Sequence, residues 1–174
     1  VLCDYGAACL LLPMKLFRPL IRDAGYSLQS ARNACQSTGL SLTAVMRRML
    51  ETGLRDCVMI IWRYGHKPSE YVPSLVGQMN LFGSPTAMDP PKKPRVDYFY
   101  TTPMNSRFIR KDKSVEPGTS VARVFEKSPG TITRGFDYLE ITNQSGHYLT
   151  ESILVILEGQ ARAFSFVYFE ELSS

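Results

Sequence analysis

Two histidines and four cysteines are the side chains of this sequence best suited to metal or nucleophilic chemistry, and their spacing speaks against both. The cysteines are Cys3, Cys9, Cys35 and Cys57, none in a C-x-x-C pair, and His66 and His147 are far apart in the chain. A zinc ribbon or finger needs its ligands in close pairs, because one short loop presents two of them to the same ion. Ser145 and His147 stand two residues apart beside a turn, with no third group to orient the imidazole, so they are not a catalytic pair. Cys9 and Cys35 lie among apolar residues and read as small core side chains in a reducing compartment.

Anion recognition is the next chemistry to weigh. The chain carries a net charge of +4, and it is uneven. Residues 1–56 hold Lys15, Arg18, Arg22, Arg32, Arg47, Arg48 and Arg55 against Asp4, Asp23, Glu51 and Asp56, while the remainder is nearly balanced. A basic first third permits contact with nucleic acid. Within it, Ser41, Thr43, Arg47 and Arg48 would face phosphates or base edges if the segment 26–53 were a DNA-binding helix-turn-helix. The other reading of that segment is a plain helical hairpin that docks a protein. "RFIRKDK" (Arg107–Lys113) is either a site for an acidic partner or phosphate, or a solvated loop. "PPKKPRV" (Pro90–Val96) reads as a stiff, charged linker.

The elements that must carry these residues follow from periodicity. Ala7, Ala8, Leu10, Leu11 and Leu12 predict a strongly buried first helix. Pro13 suits the start of a second, where a missing N–H costs little. Phe17, Leu20 and Ile21 continue its apolar face, and Gly25 ends it. Ser27 then caps a helix to about Thr38, Gly39 breaks it, and Ser41 caps another with Val45, Met49 and Leu50 inward and Arg47, Arg48 and Glu51 outward. From Cys57 the period changes. "CVMIIWRYG" predicts a buried strand, and residues 65–94, rich in Pro, Gly and Ser, predict a linker. "RVDYFYTTP" predicts a strand, a helix starts near Thr119 with Val121, Val124 and Phe125 on one face, and "GFDYLEIT", "GHYLTESILVIL" and "ARAFSFVYFEE" predict three more strands joined by "NQSG" and "EG" turns.

The fold class expected is α+β. A helical region over 1–56 precedes a mostly antiparallel sheet of about five strands with a covering helix over 57–174. A pocket between sheet and helix would hold a small molecule. Tyr98, Tyr100, Phe136, Tyr138, Phe164, Phe166 and Tyr168 either line it or form ordinary core and cross-strand pairs. The apolar share of 44% is that of a globular chain, and no apolar run reaches the roughly 18–20 residues of a membrane helix, so the expected location is the cytoplasm, without a membrane partner.

The stretch "DYGAACLLLP" resembles a motif of the ImmA/IrrE family of metallopeptidases, carried by Asp4, Gly6, Ala7, Ala8, Leu10, Leu11, Leu12 and Pro13, with Gly6 and Leu12 departing from the usual Phe and Met. The helix-turn-helix-like segment follows this motif in the family as well, so the resemblance covers about residues 1–56. The C-terminal element order is similar to the GAF-like sensor domain of some long members. What the resemblance implies is a parent enzyme that binds zinc through an H-E-x-x-H helix and a downstream Glu, and cleaves a transcriptional repressor or antitoxin-like partner in stress or phage responses. No H-E-x-x-H exists in this sequence, so neither a catalytic residue nor a zinc ligand is assigned to it. Asp4 is either support for such ligands or a helix N-cap.

The expectation is therefore a regulatory part of a longer polypeptide, with a protein substrate of repressor or antitoxin type, possible DNA contact, a small-molecule signal and no cofactor of its own. A DNA-binding regulator and a non-catalytic scaffold are the alternatives. Such a part should leave apolar surface around Leu2, Leu10 and Leu11 exposed, or bury it against another chain.

Overall fold

A computed structural model describes residues 2–68, 91–102, 107–142 and 145–169, with side chains from Gly6 onward. Four helices open the chain: α1 (Leu2–Leu11), α2 (Met14–Ala24), α3 (Leu28–Thr38) and α4 (Leu42–Glu51). Five strands follow, β1 (Cys57–Gly65), β2 (Lys93–Thr101), β3 (Ile132–Leu139), β4 (Gly146–Leu157) and β5 (Gln160–Tyr168), with a short helix α5 (Ser120–Val124) before β3. The fold is α+β, with its long helices N-terminal.

The helix boundaries have local causes. Ser27 Oγ accepts from Ser30 N at 3.2 Å and Ser41 Oγ accepts from Ala44 N at 3.3 Å, so each hydroxyl satisfies an N–H that the first helical turn leaves orphaned. Gly39 ends α3 at φ 70°, where its N–H reaches Cys35 O at 2.8 Å; this left-handed conformation costs glycine nothing.

The sheet runs β2-β1-β5-β4-β3, every neighbour antiparallel. β1 and β5 lie inside, and their alternation feeds two cores. Cys57, Met59, Ile61, Phe164, Phe166 and Tyr168 join Phe17, Ile21, Leu28, Val45, Met46 and Met49 under the helices. Val58, Ile60, Trp62, Ala163 and Val167 pack on the other face with Val121, Val124, Ile109 and Val115. A strand buried on both faces must read as a continuous apolar run, which is why "CVMIIW" does. The helical third and the sheet thus share a core across residue 56. The β4–β5 turn holds Glu158 at φ 51° and Gly159 at φ 76°, the doubly left-handed geometry whose twist matches a two-residue hairpin.

Several expectations need correction. α1 is not buried all round: Ala8 and Leu12 are covered, but Leu10 is 81% and Leu11 58% exposed. The exposure expected there is thus found at both; the side chain of Leu2 lies outside the described residues. On α2, Phe17 and Ile21 face inward while Leu20 faces out. The expected linker 65–94 holds strand residues at both ends, where Gly65 pairs with Lys93 and Tyr64 with Pro94; residues 69–90 lie outside the described ones. Arg95, expected in a charged linker, is buried and donates to the carbonyls of Gly65 (3.2 Å) and Asp112 (3.1 Å). The "RFIRKDK" run is tied down too. Ile109 is buried, Arg107 pairs with Asp56 at 2.6 Å, and Lys113 pairs with Glu140.

Two buried carboxylates join the layers. Glu151 on β4 accepts from Leu28 N at 2.9 Å and from the Tyr168 hydroxyl at 3.0 Å, capping α3 from the sheet. Asp137 on β3 accepts from Ser120 N at 2.7 Å and from the Ser120 hydroxyl, capping α5 on the opposite face. Replacing Glu151 by Ala strands both donors, so Glu151→Ala should lower unfolding stability by about 2–3 kcal/mol and Tyr168→Phe by about 1 kcal/mol, as measured by urea titration.

Candidate ligand groove

Between α5 and the outer end of the sheet lies a groove of about 480 Å³. That size falls within the range of small-molecule sites. Its aromatic wall is Tyr64, the penultimate residue of β1, whose ring lies 5.5 Å from that of Phe125 just past α5. Pro94 and Val115 supply rigid apolar surface, Ala122 keeps the α5 side shallow, and Ala161 on β5 borders it. Lys92 and Lys93 stand on one rim and Glu126 on another, so the local charge is positive by one.

The chain builds this arrangement by fixing α5. Thr119 Oγ1 accepts from Ala122 N at 3.1 Å, and Asp137 holds the same helix start from below. Gly118, at φ 87°, turns the chain into that cap. Tyr64 is held by the β1–β2 ladder, and its ring remains 53% exposed. The walls therefore combine residues of β1, β2, α5 and β5 with the turns that flank them, and carry one open aromatic face and two lysines. The site favours a flat apolar molecule bearing an anionic group: a ring can stack on Tyr64 and Phe125, and a carboxylate can reach Lys92 or Lys93.

None of Asp4, Ser41, Thr43, Arg47 and Arg48 lines this groove. Asp4 lies inside α1, which begins at Leu2, and not at its N-cap; its side chain lies outside the described residues. The Ser41 hydroxyl caps α4, and Thr43 is half-buried. The Arg47 guanidinium sits 4.7 Å over the Tyr100 ring. Arg48 donates to Leu12 O at 3.0 Å and pairs with Glu51 at 2.5 Å, with its side chain only 11% exposed. These two arginines tie α4 to β2 and to the end of α1.

The seven strand aromatics do not line one pocket. Phe164, Phe166 and Tyr168 fill the helix-side core, Tyr98, Phe136 and Tyr138 are exposed, and Tyr100 carries Arg47. Sequence reasoning missed Tyr64. The available signal was its place at the end of the apolar run of β1, where alternation resumes and one side chain turns outward. Cys9 and Cys35 are half-buried, Cys35 packed against the helix-side core, and burial pushes the Cys35 thiol up to about 11. Among the described cysteine side chains Cys57 is fully buried, and it donates to the Tyr26 hydroxyl at 3.3 Å. Among the described residues, no three of His, Cys, Asp and Glu gather as a metal-binding group, and no helix is long and apolar enough to cross a membrane.

No protein-family model matches the chain, and no curated protein matches it.

Tyr26 and Tyr168 pack edge-on, ring centroids 6.4 Å apart, beneath α3. Burial, then the neighbouring Cys57 thiol for Tyr26 and the Glu151 carboxylate for Tyr168, raises both hydroxyls above the ordinary tyrosine value. The folded state thus holds these protons more tightly than the unfolded chain. Their stabilising contribution is intact below about pH 10 and is lost as the pH rises further. Melting temperature should fall steeply above that point, and Tyr26→Phe should flatten the alkaline limb of the curve.

Proposed function

We propose that this chain is the sensing and regulatory part of an ImmA/IrrE-like metallopeptidase, and that the groove beside α5 receives its small-molecule signal. The observation that carries the sensor reading is that groove: an exposed aromatic wall, an apolar floor and two lysines, on a sheet whose other face packs the helices. The family reading rests on the motif residues of α1 and the capped helix pair α3–α4 that follows them. A five-stranded antiparallel sheet with a short covering helix supports the GAF-like reading of the C-terminal part.

In this reading β1 is the coupling element. Its Tyr64 end walls the groove, while Cys57, Met59 and Ile61 on the same strand pack under the helices. A ligand that fixes the Tyr64 end also fixes the floor on which those helices rest. The protease action on a repressor or antitoxin-like partner belongs to the longer polypeptide. The zinc of that action has no ligand set here, since the sequence holds no H-E-x-x-H, and no chemical step is assigned to this chain. Location in the cytoplasm accords with that role.

Thermal denaturation with an aromatic carboxylate tests the sensor reading. Millimolar indole-3-carboxylate should raise the melting temperature by about 2–4 °C. Ala122→Trp, which fills the groove, and Lys93→Glu should each remove the rise. No rise with this or related aromatic acids would remove the sensor reading. Salt-dependent binding to duplex DNA in its place would put a DNA-binding regulator first.

A further inference from the structure

The two edges of the sheet are guarded unequally. β2 carries Pro94 and a register shift opposite Ile61–Trp62, and its outer side is bonded to a neighbouring segment: Val96 N donates to Lys113 O at 2.9 Å and Asp112 N to Val96 O at 2.8 Å. β3 has neither Pro nor Lys, and its ladder with β4 runs without a bulge. The two-residue turn at Glu158–Gly159 makes Leu157 and Gln160 exchange both main-chain bonds, so odd-numbered residues of β4 bond to β5 and even-numbered ones to β3. Ile132, Arg134, Phe136 and Tyr138 sit opposite the odd ones and thus turn their N–H and C=O groups outward. Arg123 on α5 meets one of these groups, donating to Arg134 O at 3.3 Å; among the described residues the others have no partner. The side chains of the same four residues share the helix-side face of the sheet, where Phe136 is 54% and Tyr138 49% exposed and the Tyr138 ring lies 5.4 Å from that of His147.

We infer that β3 pairs edge to edge with β3 of a second copy of this chain, antiparallel about a two-fold axis at Phe136, so that two five-stranded sheets become one. The strand is complementary to itself in that register. Phe136 meets Phe136 of the partner subunit as a cross-strand aromatic pair, and Arg134 lies opposite the partner's Tyr138, cation against ring, once on each side of the axis. The outward groups of these three residues then exchange main-chain bonds in pairs, and Arg123 gives up Arg134 O to a partner amide. An axis at Arg134 or Asp137 would set like charges directly opposite, and one at Gly135 would give up the aromatic pair. An extended peptide can use the same main-chain groups, but it asks for no particular side chain on β3. The match of Arg134, Phe136 and Tyr138 to their own inverse is what singles out a second copy. The edge shares no residue with the ligand groove, so this inference is independent of it.

Sedimentation equilibrium of the 174-residue chain tests this. Between about 1 and 300 μM it should show a reversible monomer–dimer equilibrium with a Kd on the order of 10–100 μM. Phe136→Lys sets two ammonium groups on the axis and should weaken the dimer at least about tenfold. Tyr138→Lys, which faces the partner's Arg134 with a like charge, should do the same, whereas Tyr138→Glu should keep the dimer and make it salt-sensitive. Both side chains face solvent, so the melting temperature of the dilute monomer should stay unchanged and separate loss of pairing from loss of fold. Hydrogen exchange at the amides of Arg134, Phe136 and Tyr138 should slow as concentration rises. A monomer throughout with these amides open would overturn the inference and leave the edge to a peptide. A monomer with these amides already protected would overturn it too, because another segment of this chain then covers the edge. So would a dimer indifferent to Phe136→Lys and Tyr138→Lys, which would place the interface elsewhere.

Discussion

Two carboxylates inside the sheet hold this molecule together. The start of a helix leaves N–H groups unpaired and carries partial positive charge, so burying it without a partner is costly. Here the partners come from neighbouring strands: Glu151 reaches α3 on one face, and Asp137 reaches α5 on the other. Each bond is long-range in sequence and fixes a helix against the sheet in position as well as in energy. Hydrophobic packing alone would let α3 slide along Phe166 and Tyr168; a carboxylate on one N–H gives it a register.

A polar column backs the second of these contacts. Trp62 Nε1 donates to Ser165 Oγ at 2.9 Å, and Ser165 meets Ser152 Oγ at 2.7 Å, so the buried hydroxyls of β4 and β5 and the indole N–H satisfy one another. Thr133 Oγ1 donates to Ser120 O at 2.8 Å, which ties α5 to β3 a second time. The ligand groove is only as well defined as the placement of α5, and that five-residue helix has little stability of its own. Its order comes from the sheet.

What the sequence made legible was local. The Ser27 and Ser41 caps, the helix start near Thr119, the Gly39 stop, the β1 run and the two-residue turn at Glu158–Gly159 each declare themselves through neighbouring residues, and each is found. What stayed hidden was tertiary. Nothing near Arg48 announces that Leu12 O will accept from it, and nothing near Arg95 announces a buried guanidinium. A guanidinium on a helix looks the same in sequence whether it faces phosphate or a carbonyl thirty-six residues away. The aromatic residues misled for the same reason: alternation gives the face a side chain points to, not which faces are covered. Tyr64 belongs to the candidate site because β2 and α5 converge on it from distant parts of the chain.

The strand order has a consequence for how the chain is made. β5, the last of the strands, lies in the middle of the sheet, between β1 and β4. Its Phe164, Phe166 and Tyr168 supply much of the surface on which the N-terminal helices rest. As the polypeptide emerges from the ribosome, α1–α4 and β1 are complete long before their counterpart exists. Their apolar faces must wait, together with the unpaired edge of β1, until residues 160–168 arrive. Folding is then concerted and late, dominated by contacts between distant parts of the chain, which places it among the slower topologies. A nascent chain halted before β5 would be a sticky species with an open edge, the kind that holding chaperones engage.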